Sequence, residues 1–471
     1  MNTIRLTGMA AAISALLLLA ACGSDGEDPP PPRATIVTAQ LAGSLTAAEF
    51  TAALQSTAQG QGLLQLAGVP TCGVDIRYVL YMTRDPAGLP QTASTAALVP
   101  NGADPRCTGG GTNKLPVVVY AHGTTTLKSF NMADIQNNGE ASLVAAMFAA
   151  QGFIVIAPNY LGYDKSSLQY HPYLNAENQS IDMVDGMRAA YSHLNAASTN
   201  KPGAKLFVTG YSQGGHVAMA LQRALERDYA TEFTLTAAGP MSGPYNMGKF
   251  VGLVNSGPNP GVCDGSPRGI NCTVNGGATI FTPLLLTSWQ KSYGNVYAAP
   301  TDAYQDPFAA TAETLFPTDT PVSELIAQGK LPADPTFTLL FGTGGLIKES
   351  FRADYFSNAN NGFRKGAELN TLLNFKPKAP VALCYSNADP TVYGFNTTDA
   401  QAYFAEQQGV LVPALDLRGD LAAISGTLGP AAAQLAGAFQ ATYPAPNTLG
   451  DHGNAAPFCS AFVRGYFSSL L

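Results

Sequence analysis

The stretch Lys205-Leu206-Phe207-Val208-Thr209-Gly210-Tyr211-Ser212-Gln213-Gly214 holds a serine between two glycines, after a short apolar run. Residues 205–209 are typical of a buried strand, and residues 216–225 have the composition and spacing of a helix. Flanking glycines let the chain turn without a Cβ clash, and a tight turn from strand to helix pushes the serine Oγ outward. We therefore predict that Ser212 is a nucleophile. The alternative is a glycine-rich turn before a buried helix.

Strands and helices alternate around this turn, from residue 115 to a predicted strand at 233–238. Near-continuous apolar strands between helices indicate a parallel sheet that is covered on both faces, and residues 74–82 and 93–99 predict an antiparallel pair at one edge. The alternation stops at Ser242-Gly243-Pro244 and resumes with a strand at 380–385. The segment between them is predicted to be an inserted cap.

The chain is thus predicted to have an α/β fold with a mostly parallel central sheet. The second core part should contain a helix at 398–408, a strand at 410–417 and a last helix at 456–470. The predicted divisions are a signal peptide at 1–21, an acylated cysteine with a Pro-rich tether at 22–40, a first core part at 41–244, the cap at 245–378 and a second core part at 379–471.

A serine hydroxyl becomes a strong nucleophile when a base takes its proton and a carboxylate orients that base. For a serine on this kind of turn, the acid follows the serine along the chain and the histidine comes last. Three of the five histidines precede Ser212, and His216 lies below it in the following helix. His452, in a glycine-flanked loop before the last helix, is the predicted base. The alternative is an ordinary loop histidine.

The predicted acid is Asp389, which follows the strand that restarts the core. Open α/β sheets gather their functional groups in loops at the carboxyl ends of the strands. Asp451, next to the base, is the rival, although neighbouring side chains on a loop usually point apart. Asp399, Asp416 and Asp420 lie in helix-like or surface-like settings.

Hydrolysis also requires donors for the oxyanion. The backbone N–H of Gln213 is one predicted donor, and Thr124, just after His122-Gly123 in the loop behind the first central strand, is the other. His122 is predicted to support that loop. Three aromatic residues are candidates either for the mouth of the pocket or for packing the cap onto the sheet: Tyr160, Tyr163 and Tyr173.

Together these residues resemble the α/β-hydrolase superfamily, and within it the secretory lipase group of esterases and lipases. The resemblance covers about residue 115 to the C-terminus. It implies an α/β-hydrolase fold whose inserted helical cap forms the acyl pocket, which suits residues 245–378. It rests on His122-Gly123-Thr124, Ala157-Pro158-Asn159-Tyr160-Leu161-Gly162-Tyr163, His171-Pro172-Tyr173-Leu174, the stretch 210–215, Asp389 and His452.

The N-terminus has the order of a secretory signal peptide: a basic residue, an apolar run and small residues before a cleavage point. Leu19-Ala20-Ala21-Cys22 resembles a bacterial lipobox, in which the cysteine becomes an acylated N-terminus. A polar and then Pro-rich segment follows, which suits a solvated tether. The absence of Asp directly after Cys22 resembles outer-membrane lipoproteins. The alternative is an ordinary signal peptide with a chance cysteine.

Six cysteines remain when Cys22 is set aside, and an even number in an exported chain favours three disulfides. None of their spacings is that of a zinc site. The third predicted bond would tie the Asp389 loop to the His452 loop. Many connectivities are open, and order along the chain favours Cys72 with Cys107, Cys263 with Cys272, and Cys384 with Cys459.

Charged residues make up 12% of the chain, the net charge is −7, and no basic cluster occurs, which argues against a nucleic-acid partner. No apolar run after the N-terminus is long enough to span a membrane. We predict an exported, lipid-anchored serine hydrolase that cleaves small-molecule or lipid esters through an acyl-enzyme, without cofactor or metal. A depolymerase of aliphatic polyesters, with a more open groove, and a non-catalytic hydrolase-fold binding protein at the cell surface are the alternatives.

Overall fold

The computed structural model describes residues 31–256, 274–446 and 450–471. The strands in these ranges are β1 (Ile36–Leu45), β2 (Gly73–Arg84), β3 (Pro90–Asn101), β4 (Lys114–Ala121), β5 (Ile154–Pro158), β6 (Lys201–Tyr211), β7 (Ala237–Met241), β8 (Leu383–Tyr385) and β9 (Ala414–Asp416). The helices are α1 (Ala47–Gln55), α2 (Ala58–Ala67), α3 (Gly139–Met147), α4 (Ala176–Ala197), α5 (Gln213–Arg227), α6 (Met247–Ser256), α7 (Ala278–Tyr293), α8 (Pro300–Ala303), α9 (Val322–Ala327), α10 (Glu349–Ser357), α11 (Gly362–Leu369), α12 (Phe395–Ala402), α13 (Leu421–Leu428), α14 (Pro430–Thr442) and α15 (Asp451–Ser468).

One nine-stranded sheet joins the strands of the described ranges, in the order β1-β2-β3-β5-β4-β6-β7-β8-β9. The pairings β1-β2, β2-β3 and β3-β5 are antiparallel, and those from β5 through β4 to β9 are parallel. Alternate residues of β4 point to opposite faces: Val117 and Val119 pack with α4 and α5, and Val118 and Tyr120 pack with α3 and α15. The predicted mostly parallel sheet with helices on both faces is confirmed.

An additional strand, β1, lies at the edge before the predicted antiparallel pair. It places Gln40 opposite Tyr78 of β2. The strand begins at Ile36, so the last five residues of the predicted 22–40 tether belong to the sheet. As an edge strand it exposes most of its side chains, including Val37 and Leu41. No clean apolar alternation therefore marks this strand in the sequence. The helices α1 and α2 are also not predicted from the sequence.

Between β7 and β8 the described chain forms six helices, α6 to α11. Their apolar side chains make a cluster separate from the clusters on the two faces of the sheet. It contains the fully buried Trp289, whose ring lies tilted against that of Phe363 with the centroids 5.5 Å apart. These helices occupy the segment 245–378 that is predicted to be a cap. The region thus has an apolar core of its own.

Two of the three predicted disulfides are present: Cys72–Cys107 and Cys384–Cys459. The predicted bond Cys263–Cys272 lies outside the described residues, as do the signal peptide at 1–21 and Cys22. Cys384 lies in β8 and Cys459 in α15, so this bond joins the strand before Asp389 to the helix that carries His452.

The C-terminal region differs from the prediction in its helices. α13 and α14 separate β9 from α15, and α15 begins at Asp451, so His452 lies in the first turn of a helix and not in the predicted loop. Gly453 and Pro457 are poor helix formers, so the sequence pattern does not indicate that the helix begins at Asp451. The turn closes because the Asn454 N–H donates to the carbonyl oxygen of Gly450 at 2.8 Å, and an acidic residue is favourable at a helix N-terminus.

Two strands also lie later or are shorter than predicted. β7 starts at Ala237, four residues after the start of the predicted 233–238 strand, because Phe233 and Leu235 pack against the helix-covered face before the chain joins the sheet. β9 keeps only three residues of the predicted 410–417 strand. Apolar residues in the approach to a strand have the same composition as the strand itself, so the pattern does not separate them.

Candidate active site

Ser212 lies on the turn between β6 and α5, with φ of 61° and ψ of −123°. A positive φ is a strained conformation for a residue with a side chain. A Cβ on Gly210 or Gly214 would collide with the backbone oxygen of Ala121 on β4, so glycine at both positions lets β4 pack against the turn. The strained turn places Ser212 at the carboxyl end of β6, at the edge where the loops of the sheet converge.

A chain of hydrogen bonds links Ser212 to the predicted base and acid. His452 Nε2 lies 2.7 Å from Ser212 Oγ, and His452 Nδ1 lies 2.5 Å from Asp389 Oδ2. The other oxygen of the buried Asp389 carboxylate accepts the N–H groups of Thr391 and Val392 at 2.8 and 3.0 Å. Both carboxylate oxygens are thus held, and the His452 ring is aligned between acid and serine.

The rival acid, Asp451, is not part of this chain of hydrogen bonds. Arg418 donates to both of its carboxylate oxygens, with Nε to Oδ2 at 3.0 Å and Nη2 to Oδ1 at 2.7 Å. The pair is almost fully buried. Tyr211 OH donates to the backbone oxygen of His452 at 2.5 Å. Asp451 therefore helps to fix the first turn of α15, and Tyr211 holds the backbone of the histidine.

The remaining aspartates considered from the sequence lie elsewhere. Asp399 pairs with Lys249 at 2.9 Å, Asp416 accepts the N–H of Asn387 at 3.0 Å, and Asp420 caps α13. None of these contacts involves His452. Of the carboxylates weighed from the sequence, the structure brings Asp389 to the histidine.

Three other histidines are buried and engaged with backbone oxygens. Burial lowers the pKa of His122 and His216 from 6.5 to about 4, and that of His171 to about 3. His216 Nε2 lies 2.9 Å from the carbonyl oxygen of Asn370, behind α5, and His122 Nδ1 lies 2.7 Å from that of Gly123. His122 therefore sits against the loop it is predicted to support, and His216 faces away from Ser212.

The two predicted oxyanion donors lie on neighbouring elements. Gln213 is the first residue of α5, and the first N–H groups of a helix have no intrahelical partner. Thr124 lies on the loop after β4, which runs parallel to and beside β6. Gly123 N–H donates to Glu140 Oε1 at 2.9 Å, so the loop is fixed one residue before Thr124.

The three predicted pocket tyrosines divide between two roles. Tyr160 and Tyr163 are buried in an aromatic cluster around His122, and their hydroxyls donate to the backbone oxygens of His122 and Thr125. Neither is among the residues that line the cavity next to Ser212, and both hydroxyls are satisfied by backbone oxygens, which favours the packing alternative for these two residues. Tyr173 does line that cavity.

An apolar cavity of about 720 Å³, open solvent at its mouth included, lies beside Ser212 and Gln213. Its walls come mainly from four cap helices, α6, α7, α10 and α11. The sequence does not single these residues out, because apolar positions that face a cavity have the same periodicity as positions that face a core. The walls include Met247, Phe250, Leu285, Leu286, Ile347 and Phe351.

The described ranges contain no group of three or more His, Cys, Asp or Glu side chains that could hold a metal ion. Among the helices that the structure describes, none has both the length and the apolar content needed to cross a membrane. The chemical groups at the site are a serine, a histidine, a carboxylate and the backbone N–H groups at the start of α5.

Solved structures similar to this chain share its architecture. A ligand-bound form of the rice cell wall degrading esterase LipA from Xanthomonas oryzae matches with a TM-score of 0.73 and 28% identity, over 92% of this chain and 98% of that one. The fold is that of the α/β-hydrolases. A Legionella pneumophila protein matches with a TM-score of 0.69 at 19% identity, over 92% of this chain and 98% of that one. Candida antarctica lipase A in its closed state matches with 0.51 at 11%, over 81% and 76%. These last two likenesses show the fold alone.

Sequence comparison gives a partial match to a family. The family model for secretory lipases matches residues 128–273 of this chain, a segment that includes Ser212. None of the curated protein sequences matches the chain. The family match and the LipA match support an ester hydrolase, and the secretory family together with two disulfides indicates an exported protein.

Proposed function

We propose that this protein is a serine carboxylic ester hydrolase whose catalytic residues are Ser212, His452 and Asp389. The observation that carries the proposal is the hydrogen-bond chain from Ser212 Oγ through both nitrogens of His452 to Asp389. A serine, a histidine and a carboxylate in this geometry form the arrangement that activates a serine hydroxyl. A complete chain also favours an enzyme over a non-catalytic binding protein.

The chemistry follows from the two ends of that chain. His452 Nε2 takes the proton of Ser212 as Oγ attacks the ester carbonyl, and Asp389 stabilises the imidazolium that forms. The proton then passes to the departing alkoxide, which leaves an acyl-enzyme. Water attacks the acyl group with His452 again as the base, and the carboxylic acid is released. During both attacks the backbone N–H of Gln213 and Thr124 stabilise the negative oxygen.

The apolar cavity next to Ser212 suits the acyl part of the ester. Most of its lining residues belong to the segment 245–378, which supports that segment as an inserted cap that covers the carboxyl end of the sheet. Apolar walls bind an alkyl chain by removing it from water. A cavity enclosed by helices favours an ester with one acyl chain over a polymer, which needs a longer groove, and so favours an esterase or lipase over a polyester depolymerase.

Narrowing the cavity should change the preferred acyl length. Wild-type protein is expected to hydrolyse p-nitrophenyl esters, and Leu285→Trp, which fills part of the cavity, should lower kcat/KM for the longest acyl chains about 10- to 200-fold relative to acetate. Leu369→Trp is the matched control, because Leu369 is 63% exposed at the end of cap helix α11 and does not line the cavity. Equal losses for every chain length would contradict the acyl-pocket role, and no ester hydrolysis at all would contradict the function.

We further propose that the mature protein is a lipoprotein anchored to the outer membrane through Cys22. Support comes from the Leu19-Ala20-Ala21-Cys22 motif and from disulfides typical of an oxidising compartment. Cys22→Ser should remove the acylated N-terminus, detected by mass spectrometry, and move the protein from the membrane fraction to the soluble fraction, with ester hydrolysis unchanged. A wild-type N-terminus without acyl groups would refute the anchor.

A further inference from the structure

The segment from His171 to Tyr173, between β5 and α4, contacts both elements that carry the proposed oxyanion donors. We propose that His171 and Tyr173 are positioning residues that hold Gln213 and Thr124 in register for the oxyanion. The inference rests on the proposed function, since it assigns a task within the same site. A backbone hydrogen bond of 2.7 Å from the Tyr173 N–H to the His171 oxygen makes the segment compact.

His171 holds the side chain of Gln213. Its Nδ1 lies 2.8 Å from the backbone oxygen of Leu161, and because a carbonyl oxygen only accepts, Nδ1 carries the hydrogen. Nε2 is then an acceptor, and the amide nitrogen of Gln213 donates to it at 2.6 Å. Burial lowers the pKa of His171 to about 3, so the ring stays a neutral acceptor at neutral pH.

This contact acts on the residue that supplies the first donor. Gln213 is 1% exposed and opens α5 directly after Ser212. Its side chain is bonded to the same Cα as the backbone nitrogen whose N–H is the proposed oxyanion donor. The bond to His171 restrains both the side chain and the start of the helix, so the donor is oriented before substrate arrives.

Tyr173 holds the second donor's residue. Its hydroxyl lies 2.8 Å from Thr124 Oγ1, and its ring is 4% exposed at the wall of the cavity. Gly123, one residue earlier, is fixed separately by Glu140. The loop after β4 is therefore restrained on both sides of the Thr124 N–H: its backbone by Glu140 and its side chain by Tyr173.

Two donors on different elements must converge on one oxygen atom, and a short segment that is hydrogen-bonded to both residues keeps the spacing of the donors constant. Loss of either hydrogen bond weakens the stabilisation of a negative charge that develops only in the transition state. Such a loss lowers kcat and leaves KM nearly unchanged. Removal of a whole oxyanion donor costs about 10²- to 10³-fold in kcat, so misalignment of one donor should cost less, about 5- to 50-fold.

The test compares two tyrosine variants in the full-length protein. Tyr173→Phe removes the bond to Thr124 and keeps the ring, and should lower kcat for p-nitrophenyl butyrate about 5- to 50-fold with KM within about twofold of wild type. Tyr163→Phe is the matched control: it removes a buried hydroxyl bonded to the backbone of Thr125, the next residue, at 2.7 Å. It should cost similar stability and leave kcat within about twofold.

A second pair of variants tests the histidine. Asn at residue 171 places an amide nitrogen near the position of Nδ1, whereas Gln places an amide oxygen near that of Nε2. His171→Asn should therefore lower kcat, and His171→Gln, which still accepts from Gln213, should restore most of it. Both tests include a trifluoromethyl ketone, an inhibitor that forms a tetrahedral adduct with Ser212. In each variant the inhibition constant of this ketone should rise by the same factor by which kcat/KM falls.

The outcomes separate this inference from the proposed function. If wild-type protein hydrolyses no ester, or if Ser212→Ala is as active as wild type, the proposed function itself fails. If hydrolysis depends on Ser212 but Tyr173→Phe keeps its kcat, raises only KM, or matches Tyr163→Phe, the positioning role is wrong. If His171→Asn does not fold, Tyr173→Phe with its intact ring still decides.

Discussion

Replacing Ser212 by Ala is expected to lower kcat for p-nitrophenyl esters by about 10⁴-fold or more, and His452→Ala should do the same. Serine and histidine act as one unit, since the proton leaves Oγ only when Nε2 accepts it 2.7 Å away. The double variant should be hardly slower than either single variant. Near-wild-type turnover by His452→Ala would refute the assignment of the base.

A pair of aspartate variants completes this experiment, because the chain places two carboxylates near the same histidine. Asp389→Asn should keep the fold and lose several orders of magnitude in kcat, since the His452 ring loses the partner that fixes its tautomer. Asp451→Asn should destabilise the protein by about 3–5 kcal/mol, because it leaves the buried Arg418 without its charge partner, yet the folded fraction should turn over substrate normally. The reverse pattern would make Asp451 the acid.

A steep loss of stability in mild acid is the second large effect that we expect. Burial lowers the pKa of His122 and His216 from 6.5 to about 4 and that of His171 to about 3. Each histidine is thus neutral when folded and protonated when unfolded between those values and pH 6.5. A depressed folded-state pKa contributes stability that is present above pH 6.5 and is lost as the pH falls toward 4.

Two buried carboxyls work against this loss. Burial raises the pKa of Asp182 from 3.8 to about 7, so its protonated form favours the folded state at low pH. It offsets about one of the three histidines, and each uncompensated proton changes the free energy of unfolding by about 1.4 kcal/mol per pH unit. Burial also raises the pKa of Glu140, which acts in the same direction. The net loss should be about 1–3 kcal/mol per pH unit around pH 5.

Urea unfolding at pH 7, 6 and 5 measures this slope. His216→Gln is the informative variant, because its amide nitrogen can still donate to the backbone oxygen of Asn370 and it does not titrate. It should reduce the slope by about 1.4 kcal/mol per pH unit. Equal unfolding free energies at the three pH values would show that these histidines do not titrate on unfolding as described.

The elements that could be predicted from the sequence are those set by backbone chemistry. The turn at Ser212 is visible in the sequence because only glycine fits at residues 210 and 214. The apolar strands around it are typical of a buried sheet. His452 follows from chain order and Asp389 from its place after a core strand, and the structure brings His452 to Ser212 and Asp389 to His452. Their catalytic roles stay a prediction.

What could not be predicted depends on tertiary contacts. The start of α15 at Asp451 is stabilised by Arg418, which lies 33 residues away in sequence, and no local pattern reveals such a partner. The aromatic rings of Tyr160 and Tyr163 give no sign in the sequence of whether they face a cavity or the interior. β1 is paired through its backbone and exposes its side chains, so apolar periodicity does not detect it.

The disulfide between Cys384 and Cys459 has a consequence for how the protein is made. It closes a loop of 75 residues around Asp389 and His452, five residues before the one and seven after the other. A host cytosol keeps thiols reduced. Protein produced there would therefore lack the covalent bond between the segment that carries Asp389 and the segment that carries His452. Recombinant production should therefore be directed to an oxidising compartment such as the periplasm, and a preparation with free thiols at these cysteines is unsuitable for measuring the catalytic rate.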